Sequence, residues 1–136
     1  MPDSQANPKI FTLEEANAVL PQAREALAGL RRQVTAVLAQ EAAVDALEMI
    51  AGADAKTRLA NEVALLEARK TAAQQSFEAF ERLGCHLKDL DAGLIDFYSW
   101  MDGEVVLLCW HEGEDGIRYW HTVEDGYAGR QPIPGF

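Results

Sequence analysis

From Leu20 the chain places apolar residues at Ala23, Leu27, Leu30, Val34, Val37 and Val44, at spacings of three and four interrupted only by Glu41. This is the stripe of an amphipathic helix with a near-heptad period. Upstream, Thr12 and Glu15 stand three apart, the spacing of a capping box, so helical turns are expected from Leu13. Pro21 has no amide hydrogen and disfavours α geometry at Leu20, which predicts a short helix ending there and a longer one running to about Ile50. A second stripe, Leu59, Val63, Leu66, Ala73, Phe77 and Phe80 with Lys70 as its polar interruption, predicts a second helix stopped by Gly84. Between the stripes lies Ala51-Gly52-Ala53-Asp54, with Gly52 suited to a left-handed helix end and Asp54 to the next N-cap. Two stripes joined by so short a turn predict an antiparallel helical hairpin with coiled-coil character.

After Gly84 the pattern changes to short apolar runs broken by turn residues. Val105 to Trp110 is continuously apolar, the signature of a strand buried on both faces. Ile117 to His121 is expected as its hairpin partner, and Asp91-Ala92-Gly93 and Glu114-Asp115-Gly116 as turns. The stretch from Gly126 to Ile133 carries too many glycines and prolines for a regular element and is expected as an ordered loop. The fold class is therefore α+β: a long antiparallel helical hairpin packed on a small C-terminal antiparallel sheet of three to four strands.

Composition narrows the partners. In 136 residues, 22 acidic against 12 basic side chains give a formal charge of -10, a field that repels phosphate backbones, so nucleic acid is not expected. A 49% hydrophobic and 25% charged chain fits one globular domain: a loose arm over 1–10, the hairpin over 11–83, and the sheet with its closing loop over 84–136. The start carries no signal-peptide pattern and no apolar run reaches membrane length, so a cytoplasmic protein that does not enter membranes is expected. Cys85 and Cys109 show no C-x-x-C spacing and read as reduced, small apolar core groups.

Several residues could carry chemistry. Asp89, Asp91 and Asp96, with Glu112, Glu114, His111 and His121, form a reservoir of metal ligands, with Asp89 and Asp96 the candidate metal pair. Turn chemistry decides between two registers. A three-residue Asp91-Ala92-Gly93 loop sets Lys88 opposite Asp96 as an ordinary ion pair, whereas a two-residue Ala92-Gly93 turn sets Asp89 opposite Asp96. The first register is preferred. Around a turn centred near Asp115, strand parity puts Trp110, Tyr119 and His121 on one face and His111 on the other, which argues against one metal shared by both histidines. Cys109 and His111 share a face but stand too far apart for a nucleophile and base pair. Arg130 and Gln131 lie in a glycine-flanked loop and, with the aromatic residues Trp110, Tyr119, Trp120 and Tyr127, make the best small-ligand pocket: Trp110, Tyr119, His121, Arg130 and Gln131 are the candidate binding residues. No phosphate loop, H-E-x-x-H, G-x-S-x-G or C-x-x-C motif is present, which lowers the expectation of an enzyme.

The residues Gly84-Cys85, Leu87-Lys88-Asp89, Gly93-Leu94-Ile95-Asp96-Phe97, Leu108-Cys109-Trp110, Gly113-Glu114, Trp120-His121 and Gly129-Arg130-Gln131-Pro132 form a set of motifs, and Phe11-Thr12-Leu13-Glu14-Glu15-Ala16-Asn17 opens the chain. Together they resemble an uncharacterised bacterial family known as domain of unknown function 2203, from which His111 departs. The resemblance implies a common fold and a common site in the C-terminal half, and brings no activity, cofactor or catalytic residue. The reading of the sequence is a non-catalytic homodimeric interaction or scaffold module. Two helices this long leave apolar surface that one hairpin and a small sheet cannot cover. The competing class is a small-molecule-binding or metal-binding protein, extending to a hydrolase, with its site in the C-terminal sheet.

Overall fold

A computed structural model of the chain describes residues 9–50 and 52–134. Most of the expected N-terminal arm, and Ala51 in the interhelical turn, lie outside the described residues. Thr12 and Glu15 form the capping box: the Glu15 amide donates to Thr12 Oγ1 at 3.0 Å and the Thr12 amide to Glu15 Oε1 at 2.9 Å. Helix α1 then runs unbroken over Leu13–Met49 with Pro21 inside it, which corrects the expected break at Leu20. Pro21 is exposed, so the missing amide leaves a carbonyl on a solvent-facing turn, while Leu20 and Ala23 on either side are buried and hold the helix to the core. Helix α2, Ala53–Glu81, begins directly after Gly52, whose carbonyl accepts the Ala55 amide at 3.1 Å. Asp54 thus falls inside the first turn and is not the N-cap. At the other end the Gly84 amide reaches the Glu81 carbonyl, with Gly84 in the left-handed region at φ 91°.

Among the described residues five strands follow: β1 His86–Asp89, β2 Leu94–Met101, β3 Glu104–His111, β4 Tyr119–Thr122 and β5 Gln131–Pro132. They form one antiparallel sheet in the order β1-β2-β3-β4-β5. The two long helices packed together and this sheet make the α+β class. Strands β2 and β3 are joined by Asp102 and Gly103, at φ 52° and 80°, the two left-handed positions of a tight hairpin turn. The tail expected as loop supplies β5 and one 3-10 turn, Tyr127–Gly129. Among the described residues no helix is long and apolar enough to cross a membrane.

The chain divides into two compact units. The first, Met1–Leu27 with Ala79–Phe136, contains the sheet and the helix ends that meet it. Its core joins Phe11, Ala16, Leu20, Leu27 and Phe80 to Ile95, Phe97, Leu108, Trp110 and Ile117. Phe11 is tied in three ways: its ring packs edge-on to Phe97 at 5.2 Å, its amide donates to the Tyr98 carbonyl at 2.7 Å, and its carbonyl accepts from Ser99 Oγ at 2.6 Å. The second unit, Ala28–Glu78, is the paired middle of the two helices. There Leu30, Val44 and Leu66 are buried, and Gln40 Nε2 donates to the Glu62 carbonyl at 3.0 Å and to its Oε1 at 2.9 Å.

Candidate metal centre

Strand pairing decides which side chains meet. Asp96 on β2 is the direct partner of Cys109 on β3, and Leu107 on β3 the partner of His121 on β4. Side chains alternate between faces, so Asp96, Cys109 and His121 share the face opposite to Ile95, Phe97, Leu108 and Trp110 of the apolar core. All three are buried, at 2%, 1% and 2% exposure. One ligand atom from each lies within 4.8 Å of the other two.

His121 is oriented by its own strand. Its Nδ1 stands 2.8 Å from the Thr122 carbonyl, which can only accept, so Nδ1 carries a proton and donates. The second nitrogen, Nε2, faces Asp96 Oδ1 at 3.3 Å. Burial pushes the Cys109 thiol up to about 12, with the Asp96 charge adding to the rise and Arg130 opposing it, and the thiol hydrogen-bonds Asp96. At neutral pH Cys109 thus keeps its proton and is not a ready nucleophile.

The segment after β4 brings Arg130 to this group. Its Nη1 lies 3.8 Å from Cys109 Sγ, Nη2 pairs with Glu114 Oε2, and the guanidinium sits 3.9 Å from the Tyr119 ring centre and 4.8 Å from that of Tyr127. Tyr127 in turn meets His111: its hydroxyl is 3.1 Å from His111 Nδ1.

The residues singled out from sequence are therefore sorted by the sheet. Tyr119, His121 and Arg130 converge with Asp96. Trp110 is buried on the opposite face, where its Nε1 donates to the Glu114 carbonyl at 2.9 Å, and Gln131 is exposed on β5 opposite Trp120. Asp89 does not approach Asp96: its Oδ1 accepts the Ala92 amide at 2.9 Å within the exposed turn. Neither expected register occurs. A bulge between Leu87 and Asp89 sets His86 opposite Asp96 and Asp89 opposite Leu94, and leaves Lys88 unpaired in the ladder. Parity between β3 and β4 is also corrected. Cys109 pairs with Tyr119, so His121 and Tyr119 share the face of Cys109 and His111, not that of Trp110. The connection from 112 to 118 is odd in length, and within it Glu114 Oε1 accepts the His111 amide and Asn17 Oδ1 the Ile117 amide. The two histidines remain apart even so, His111 being held by Tyr127.

The fold is α+β, with Asp96, Cys109 and His121 buried on the sheet face opposite to the apolar core. The chain belongs to the family described as uncharacterized conserved protein (DUF2203), which it matches over residues 9–133. No curated protein matches it, and no solved structure does.

Proposed function

We propose that the protein binds one divalent transition metal of the zinc class through Asp96 Oδ1, Cys109 Sγ and His121 Nε2. The observation that carries this reading is the 3.3 Å separation of Nε2 and Oδ1 combined with the fixed Nδ1 proton. Charge-assisted hydrogen bonds to carboxylates close to about 2.7–2.9 Å. By contrast, two ligands each about 2.0 Å from a tetrahedral metal stand about 3.3 Å apart. A neutral imidazole with Nδ1 protonated would aim a bare lone pair at a buried carboxylate, and a cation between them removes that repulsion. A backbone carbonyl on the far nitrogen is also the usual orienting partner of a metal-bound histidine. Mixed sulfur, nitrogen and oxygen donors suit zinc, and three protein ligands leave a fourth position for water or a substrate atom. Arg130, donating toward the sulfur, would stabilise the thiolate that coordination requires.

The test is metal analysis of the purified protein followed by titration of the stripped protein with Co2+. Binding of one equivalent with a sulfur-to-cobalt charge-transfer band, lost in Cys109→Ser and weakened in His121→Ala, is expected. A wild-type protein that takes up no ion at micromolar metal would overturn the reading.

A further inference from the structure

Within Ala28–Glu78 a row of α1 runs along the edge of the seam, sharing Val34 and Glu41 with the first stripe: Arg31, Val34, Leu38, Glu41, Asp45 and Glu48, at spacings of three, four, three, four and three. Residues so spaced share one face of a helix. Leu38 is 61% exposed, Asp45 and Glu48 are exposed, and Arg31, Val34 and Glu41 are half-buried. The order of the row is basic, two apolar, three acidic, so the sign of charge reverses from one end to the other about an apolar middle.

Such an order is self-complementary under one operation only. In a two-fold interface residue i meets residue j and j meets i. Positions 31 and 45 each lie seven residues from 38, so an axis through Leu38 with antiparallel helices sets Leu38 against the partner's Leu38, and Arg31 against the partner's Asp45 twice over. A parallel arrangement would place like charges together and is disfavoured. The unit also lacks apolar cover: among its described residues only Leu30, Val44 and Leu66, with Gln40, are buried. A second hairpin would complete a four-helix arrangement around them.

We infer that this face of α1 is a docking surface for a second copy of the same chain, in antiparallel two-fold register centred on Leu38. The inference is independent of the metal centre. Light scattering on the full-length protein at micromolar concentration and low salt reads it directly, with an expected mass twice the 15.0 kDa of the chain. Leu38→Glu, at an exposed position that the fold of one chain does not need, gives a monomer with unchanged far-UV circular dichroism and unchanged metal content. Arg31→Glu and Asp45→Lys each weaken association by roughly tenfold, because each sets like charges opposite each other. Mixing these two variants restores a heterodimer, and Arg31→Glu with Asp45→Lys in one chain restores the homodimer. A monomeric wild type, a dimer that survives Leu38→Glu, or charge reversals that are not mutually corrected would overturn it.

Discussion

His121 reaches Asp96 across a whole strand: the two residues stand on β4 and β2, with β3 between them, and their polar atoms meet 3.3 Å apart over Cys109. Because both are 2% exposed, removing one leaves the other buried without its partner. Asp96→Ala is expected to cost about 3–5 kcal/mol in urea unfolding of the metal-loaded protein, because the buried cation loses the carboxylate that neutralises it, in place of the 1 kcal/mol or less of an exposed ion pair with Lys88. A loss under about 1 kcal/mol would contradict the burial argument. Asp96→Asn keeps the shape and is expected to fold while losing the metal.

The interlocking of Asp96, Cys109 and His121 was only half legible in the sequence. Asp96 and His121 are metal-ligand types and stood out, whereas Cys109, inside a run of apolar residues, read as core. What brings it beside Asp96 is the β2–β3 register set by the Asp102-Gly103 turn, and what adds His121 is the β3–β4 register across the 112–118 connection, whose Ile117 amide Asn17 holds from a hundred positions away. The helices were legible because their stripes are long and regular, and the capping box because it is local. Pro21 misled because its effect depends on which face of the helix it occupies. The Asp102-Gly103 turn carries the strongest short-range hairpin signal, Asp-Gly between two apolar runs, and separates β2 from β3.

Alkaline pH should destabilise the fold through its thiols. Burial raises Cys85 from 9.0 to about 12, partly opposed by its backbone hydrogen bond. The folded state therefore holds the proton more tightly than the unfolded chain. The stability this contributes is complete below pH 9 and is lost as pH rises from 9 toward 12, at up to about 1.4 kcal/mol per pH unit for each thiol. Urea titrations across that window should show a shallower decline in Cys85→Ala. An unchanged slope would place the effect elsewhere.

Asn17 links α1 to the β3–β4 connection, its Oδ1 accepting the Ile117 amide at 2.9 Å while Nδ2 donates to the Leu13 carbonyl at 3.3 Å. Ile117 is fully buried, so Asn17→Ala strands its amide. A loss of about 1–3 kcal/mol is expected, read as a lowered melting temperature. Asn17→Asp keeps the acceptor and should recover most of it.

Gly93 has φ 74°, and a Cβ there would lie 2.6 Å from Glu112 Cβ. Gly93→Ala therefore combines a strained backbone with a clash between two adjoining connections of the sheet, β1–β2 and the one after β3. A cost above the roughly 1 kcal/mol of an ordinary left-handed glycine is expected in chemical denaturation. Gly103→Ala, whose Cβ would meet nothing within 4 Å, serves as the strain-only control.

The amide of Gln40, closed inside the hairpin, works as a key in a lock. Two leucine-like stripes can slide along each other and find nearly equivalent packing, since their repeat looks the same a few residues on. Gln40 resists this: displaced by one helical step it would face Leu59 or Leu66 in place of Glu62, and its buried amide would lose the carboxylate acceptor that neither leucine can supply. Among such neighbouring settings of the two rods only the native one gives Gln40 both acceptors, so the stretch between Leu30 and Val44 favours a single setting, like a ruler with one engraved zero.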